Sequence, residues 1–204
     1  MFAAASFLLI VIPGPSVLFV ISRALAYGRR VALATVAGNA VGSLLQAAAV
    51  AVGLGAVVQT STTAYTAIKI AGAAYLIYLG VRAFRQRRTL RAAFEAEVAP
   101  VAIRRTWWEG LVVGVTNPKV AVFFAAVLPQ FIDPAVGHPA VQMLVLGAVF
   151  TGIAVICDSV WGMAAGTVRA WFARSTGRLD LVGGAAGLTM IGLGVGLAVS
   201  GRKD

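Results

Sequence analysis

Three ionisable side chains lie inside long apolar stretches of this chain: Lys69, Lys119 and Asp158. A charge at the centre of a bilayer costs at least about 2.5 kcal/mol on insertion scales, so each is a functional candidate. Their alternatives differ with depth. At a rise of about 1.5 Å per residue, Lys69 lies about 9 Å from the outer end of its segment, and its ammonium can snorkel to the interface. Lys119 follows an interruption nearer mid-membrane, where function is the better explanation. Asp158 either neutralises a lysine, carries a proton or binds an ammonium group. Ser16, Asn39, Gln46, Asn117 and Gln130 are the polar side chains that can add hydrogen bonds. For Gln46 taken alone, a bond across to another helix is the simpler reading. Soluble-enzyme chemistry lacks its components. His138 is the only histidine and sits beside Pro139 in a turn, and Cys157 is the only cysteine, so no Ser/His/Asp triad or His/Cys metal site can be assembled. Gly28-Arg29-Arg30 is not a phosphate-binding loop, and no dinucleotide fingerprint is present. No cofactor, no metal and no enzymatic activity are expected.

The elements that must position these side chains are interrupted twice. Pro13-Gly14-Pro15 falls within an uncharged stretch from Met1 to Ser22, and Asn117-Pro118-Lys119 breaks a second such stretch. Proline removes an N–H and clashes with the preceding turn, and glycine loosens it, so each triplet frees backbone carbonyls and amides. In hydrocarbon such groups persist only where they are buried in protein or line a wet cavity. One interruption is an ordinary kink. Two at corresponding places in two halves are the sequence sign of a transporter's binding site.

The chain has 204 residues, 60% hydrophobic and 12% charged. A soluble domain carries about 25% charged residues, so this composition specifies an all-α membrane protein. Six spans fit the charges: Phe2 to Ser22, Val31 to Val58, Thr63 to Val81, Gly110 to Ile132, Pro139 to Gly166 and Leu181 to Ser200. Gln59 to Thr63 is the polar turn that divides an uncharged region too long for one span. The first segment reads as a retained span, since Met1-Phe2 enters it without a basic region or cleavage site.

The net charge of +10 sits in the short connections, which argues against nucleic acid as a partner and for retention of arginines on the inner side. Arg23, Arg29 and Arg30, then the run from Arg82 to Arg105, then Arg169, Arg174 and Arg178, mark three inner connections. Both termini are then expected outside, in the inner (cytoplasmic) membrane, with the Arg202-Lys203 tail as the one opposing signal. Three spans per half turn the second half upside down, as an inverted repeat requires. The whole chain, 1–204, is read as one domain, with repeats over about 1–84 and 107–204 and a basic connection over about 85–106. Within that connection Leu90, Ala93, Phe94 and Val98 recur at helical spacing, so a surface helix and a solvated loop are equally good readings. Trp107, Trp108 and Trp171 belong at the interface. Gly38, Gly42, Gln46, Ala49 and Gly53 share one helical face, which lets another backbone approach. Gly183, Gly187 and Gly194 repeat the theme near the C-terminus, with tight packing as sufficient explanation.

The ordered set Pro13-Gly14-Pro15, Gly28-Arg29, Gly38 with Gly42, Gly53, Lys69, Gly72 to Leu76 and Gly80 resembles the amino-acid exporters of the LysE/RhtB family. Asn117-Pro118-Lys119, Phe123-Phe124 and Pro129-Gln130-Phe131 continue the resemblance through the second half. It covers most of the chain in order. It implies an inner-membrane carrier of amino acids or similar small metabolites, driven by the proton motive force, with six spans in the lipid bilayer and assembly into dimers. Two positions depart from the pattern: Ser16 stands where many members carry an acidic or amide residue, and Gln46 where many carry histidine.

The sequence therefore predicts a proton-coupled exporter whose site lies between the halves. The pathway would comprise Pro13, Gly14, Pro15, Ser16, Asn39, Gln46, Lys69, Asn117, Pro118, Lys119, Gln130 and Asp158. The substrate carboxylate is expected nearer the second break, beside Lys119, and Asp158 takes the ammonium or the proton. Rival readings are an exporter of another solute such as a metal cation, a non-transporting scaffold or sensor, and a membrane-embedded enzyme.

Overall fold

The computed structural model describes residues 1–11, 14–60, 62–85 and 101–173, and residues 184, 187, 188, 190–192, 194–196, 198 and 199 of the C-terminal stretch. Among these no strand occurs. Helix α1 spans Phe2–Val11 and α2 spans Pro15–Tyr27. Gly14 is extended and Pro15 opens α2 at a position where its missing N–H costs nothing. Gly28, at φ 85°, ends it by returning its N–H to Ala24 O, and α3 follows at once over Arg29–Thr60. Helix α4 spans Thr62–Arg85, so Gln59, Thr60, Thr62 and Thr63 of the expected polar turn are helical. Helices α5, Ile103–Val115, and α6, Pro118–Val127, flank the second interruption. A 3₁₀ turn over Leu128–Phe131 extends α6. After His138, which has a positive φ of 51°, α7 runs over Pro139–Ala173.

The helices outrun the spans drawn from the charges. Helix α5 begins at Ile103, not Gly110, and places Arg104 and Arg105 in its first turn. Charges limit the membrane-buried part of a helix, not the helix. Arg105 Nε reaches Glu109 Oε1 at 3.0 Å, an i,i+4 pair that supports the helix outside the apolar zone.

Two helices, Arg29–Gly53 and Pro139–Ala164, are long and apolar enough to cross a bilayer alone. Two pairs would each make one more span, bent by 50° between Phe2–Val11 and Ser16–Ala24, and by 43° between Ile103–Val115 and Pro118–Phe131. Helix α7 exposes Val141, Leu144, Val145, Val149, Ile156 and Val160. An apolar outer face of that length belongs in lipid.

Close packing fixes the frame. A Cβ on Gly38 would collide with the backbone of Trp107, and one on Gly110 or Gly114 with the backbone of Thr35 or Asn39, so α3 and α5 meet backbone to backbone. Gly53, expected on the same face, has open space around it, because the contact ends before that turn. Helix α4 packs on α6 through Gly72, against Val122 and Ala126. Gly187 lies against Gly80 and Phe84, and Gly194 against Ala73 and Ile77, so the C-terminal helical residues sit on α4. Leu9, Ile10, Phe123, Phe124 and Phe150 form the main apolar cluster, with Phe124 and Phe150 edge to face at 4.8 Å. Pro13, Leu90, Ala93, Phe94, Val98, Arg174, Arg178, Gly183 and the Trp171 side chain lie outside the described residues.

Candidate functional site

Each helix break orphans a carbonyl, and each is satisfied from the other half of the chain. In a continuous helix Leu9 O would accept from the N–H of residue 13, but that residue is proline and has none. Lys119 Nζ supplies the bond instead, at 3.0 Å. At the second break Lys119 N would ordinarily bond Val115 O. It turns to Asn117 Oδ1 at 3.1 Å, the N-cap of α6. Val115 O is taken by Gln46 Nε2 at 2.6 Å, which also lies 3.2 Å from Asn117 O. Gln46 is thus a cap for a helix remote in sequence.

Two further bonds cross between the halves. Asn117 Nδ2 donates to Ser16 Oγ at 3.1 Å, and Asn39 Nδ2 donates to Asp158 Oδ2 at 3.1 Å. Ser16, Asn39, Gln46, Asn117, Lys119 and Asp158 are all buried. Lys119 and Asp158 lie near enough for their charges to interact, which lowers the cost of burying each. The side-chain oxygens Asn39 Oδ1 and Gln46 Oε1 are buried without a hydrogen-bond partner. Such acceptors are rare in a finished core and mark where a donor from elsewhere would fit.

The two helix N-termini differ. That of α6 is capped by Asn117, whereas α2 has no side-chain cap over Ser16 and Val17. The Lys119 ammonium lies at α2's start, since a Cβ on Gly14 would be 2.9 Å from Nζ. A side chain at that position would have to displace the end of the lysine. The Lys119 ammonium, carried by the second half, lies beside the first break.

Of the expected residues, Gly14, Ser16, Asn39, Gln46, Asn117, Lys119 and Asp158 come together, with Pro15 and Pro118 opening the helices that carry them. Gln130 is exposed at the 3₁₀ turn, where Nε2 donates to Ala126 O at 2.8 Å. Lys69 is partly buried on α4, one turn before Gly72 and Ala73, on the face that packs against α6. The Leu9 carbonyl and Glu109 escaped sequence reasoning. The first is legible as the residue four before Pro13, and the second as the lone acidic residue at the edge of an apolar segment rich in arginine. Among the described residues no three His, Cys, Asp or Glu side chains converge as metal ligands.

Broken apolar helices around a buried, partly unsatisfied polar centre define a multi-pass membrane protein of the transporter class. The chain belongs to the LysE type translocator family, whose model matches residues 7–201. It is a translocator, not an enzyme. It is 40% identical over 136 residues to an uncharacterized membrane protein of Vibrio cholerae, covering 66% of this chain and 64% of that one. It is 32% identical over 166 residues to a homoserine/homoserine lactone efflux protein of Salmonella typhimurium, with 81% of this chain and 79% of the relative covered. A leucine efflux protein of an Enterobacter species is 24% identical over 200 residues, with 97% and 93% covered. No solved structure matches the chain.

Proposed function

We propose that the protein exports amino acids or closely related small metabolites across the cytoplasmic membrane in exchange for protons. The observation that carries the proposal is the cross-bracing of the two breaks, Lys119 to Leu9 O and Gln46 to Val115 O, beside the buried, unpaired acceptors Asn39 Oδ1 and Gln46 Oε1. An amino acid carries a carboxylate and an ammonium. The uncapped start of α2 with the Lys119 ammonium suits the carboxylate. Asp158 with Asn39 Oδ1 suits the ammonium. Efflux of homoserine and of leucine by relatives supports this substrate class.

Proton exchange follows if proton and ammonium compete for Asp158, since a protonated carboxyl no longer attracts the substrate. Six spans in two inverted repeats belong to this reading, supported by α1 and α2 packing on α7 and α5 and α6 packing on α3, pairs that a swap of halves exchanges. The arginine-bearing ends would then face the cytoplasm and both termini the outside. In this reading Lys69 and Gln130 belong to the pathway away from its centre. Lipid surrounds the exposed face of α7, and a homodimer is the proposed assembly.

The test is counterflow in proteoliposomes with L-leucine, L-homoserine and a panel of other amino acids, with and without a pH gradient. Exchange of at least one, accelerated by the gradient, is expected; correctly inserted protein that moves none would remove the proposal.

A further inference from the structure

A second polar group lies away from the central cluster, between α2 and α5. Arg23 Nη2 is 3.0 Å from Glu109 Oε2, and Arg105 Nε is 3.0 Å from Glu109 Oε1. Arg23 is held between aromatic rings, 4.7 Å from the Phe19 centroid and 5.5 Å from that of Tyr27. Its Nε is buried without a hydrogen-bond partner. Arg23, Arg105 and Glu109 border an open groove of about 470 Å³ whose remaining wall is Phe19, Trp108, Val112 and Val113. The volume falls in the range of small-molecule sites, about 300–1,000 Å³.

The groove is placed on a route. Seven residues, about 10 Å, separate Arg23 from Ser16 along one face of α2, and six residues, about 9 Å, separate Glu109 from Val115 at the end of α5. Ser16 and Asn117 then bond across the same seam. The seam between the first-half and second-half broken helices is therefore clasped twice, by an ion pair at the arginine-bearing end and by a neutral hydrogen bond at the centre. A solute reaching the centre along this seam meets Arg23 and Glu109 first.

We infer that this groove is a first binding site for a zwitterionic amino acid with an apolar side chain, and that its occupation parts the Arg23–Glu109 pair. The inference rests on the amino-acid reading above. A zwitterion is the one small solute that satisfies both partners at once: its carboxylate takes the Arg23 edge, including the unused Nε, and its ammonium takes Glu109. An amine alone would strand Arg23 at the cost of an unpaired charge, and a carboxylate alone would leave Glu109 with the exposed Arg105 as its one partner in place of two. Phe19, Val112 and Val113 offer an apolar wall to the side chain. Arg105, on the outer side of Glu109, holds that carboxylate in place when Arg23 leaves it.

The experiment uses Val113→Cys in a Cys157→Ser background, reconstituted in liposomes, and follows the rate of alkylation by N-ethylmaleimide. At ten times its Kd, L-leucine should slow the reaction about tenfold by occupancy. 4-Methylpentanoate, which lacks the ammonium, and 3-methylbutylamine, which lacks the carboxylate, should leave the rate within about twofold at the same concentration. Protection should survive Lys119→Ala, which disables the centre, and disappear in Arg23→Gln and in Glu109→Gln. Counterflow without protection, or equal protection by either half-molecule, overturns the site. A rate that follows phosphatidylglycerol content and ignores leucine overturns it in favour of a lipid headgroup. Protection without counterflow of any amino acid keeps the site and removes the exporter reading, so the two failures are distinguishable.

Discussion

Lys119 Nζ donates to Leu9 O at 3.0 Å, so a lysine from the second half of the chain occupies the backbone gap that a proline opens in the first half. The contact ties structure to transport. In the proposed exchange, a movement of the two halves that opens the centre to the other side would break this bond and release the ammonium to an anion.

Lys119→Ala should lose counterflow by at least about tenfold while the protein still inserts. The orphaned Leu9 carbonyl costs about 1–3 kcal/mol, a fraction of a domain's stability. Lys119→Arg keeps the charge, but Gly14 leaves little room for a guanidinium, and partial activity is expected. Initial exchange rates at matched protein levels check both; a wild-type rate in Lys119→Ala would remove the residue from the mechanism.

Gln46→Leu should destabilise the protein by about 1–3 kcal/mol, because it removes the donor to Val115 O and to the buried Asn117 O at the second break. The midpoint of thermal unfolding in detergent should fall accordingly. An unchanged midpoint would show that Val115 O finds another donor.

Asp158→Asn keeps the side chain's shape and removes its charge. In the wild type the apparent KM for substrate should rise as pH falls, since protonation of Asp158 takes away the ammonium's partner. The variant should bind weakly and show a flat pH profile. Parallel profiles for the two proteins would exclude Asp158 as the group shared by proton and substrate.

Gly38→Ala and Gly53→Ala separate packing from helix propensity. At Gly38 the new methyl would strike the Trp107 backbone and push α3 from α5, with an expected cost of about 1–3 kcal/mol, whereas Gly53 is open and should tolerate alanine without loss. Thermal midpoints of the two variants, measured side by side, test the contrast; equal losses would mean that the α3–α5 contact does not limit stability.

Much of this arrangement is written in local chemistry. Proline without an N–H fixes where carbonyls are freed, Asn117 before Pro118 is a helix start by residue type, and glycines four apart on α3 announce a close neighbour. Arginine placement locates the ends of the apolar zones. None of these signals carries a direction in space. Lys119 is adjacent to the second break in the chain, but its flexible four-carbon stem carries the ammonium to Leu9 O at the first. The sequence reading also passed over Glu109, since an isolated acid beside arginines is unremarkable until Arg23 is brought to it from α2.

By itself, then, the sequence determined a helical membrane protein with two interrupted spans, a small set of buried polar side chains and membership in a translocator family. Only the tertiary structure decided which carbonyl each polar side chain satisfies, that α5 supplies the backbone facing Gly38 and Gly42, and that Arg23 and Glu109 clasp one end of the seam. The reason is physical: backbone breaks and burial preferences are set by residues within a few positions, whereas hydrogen-bond partners in a low-dielectric interior are set by whichever donor the packing of distant helices delivers.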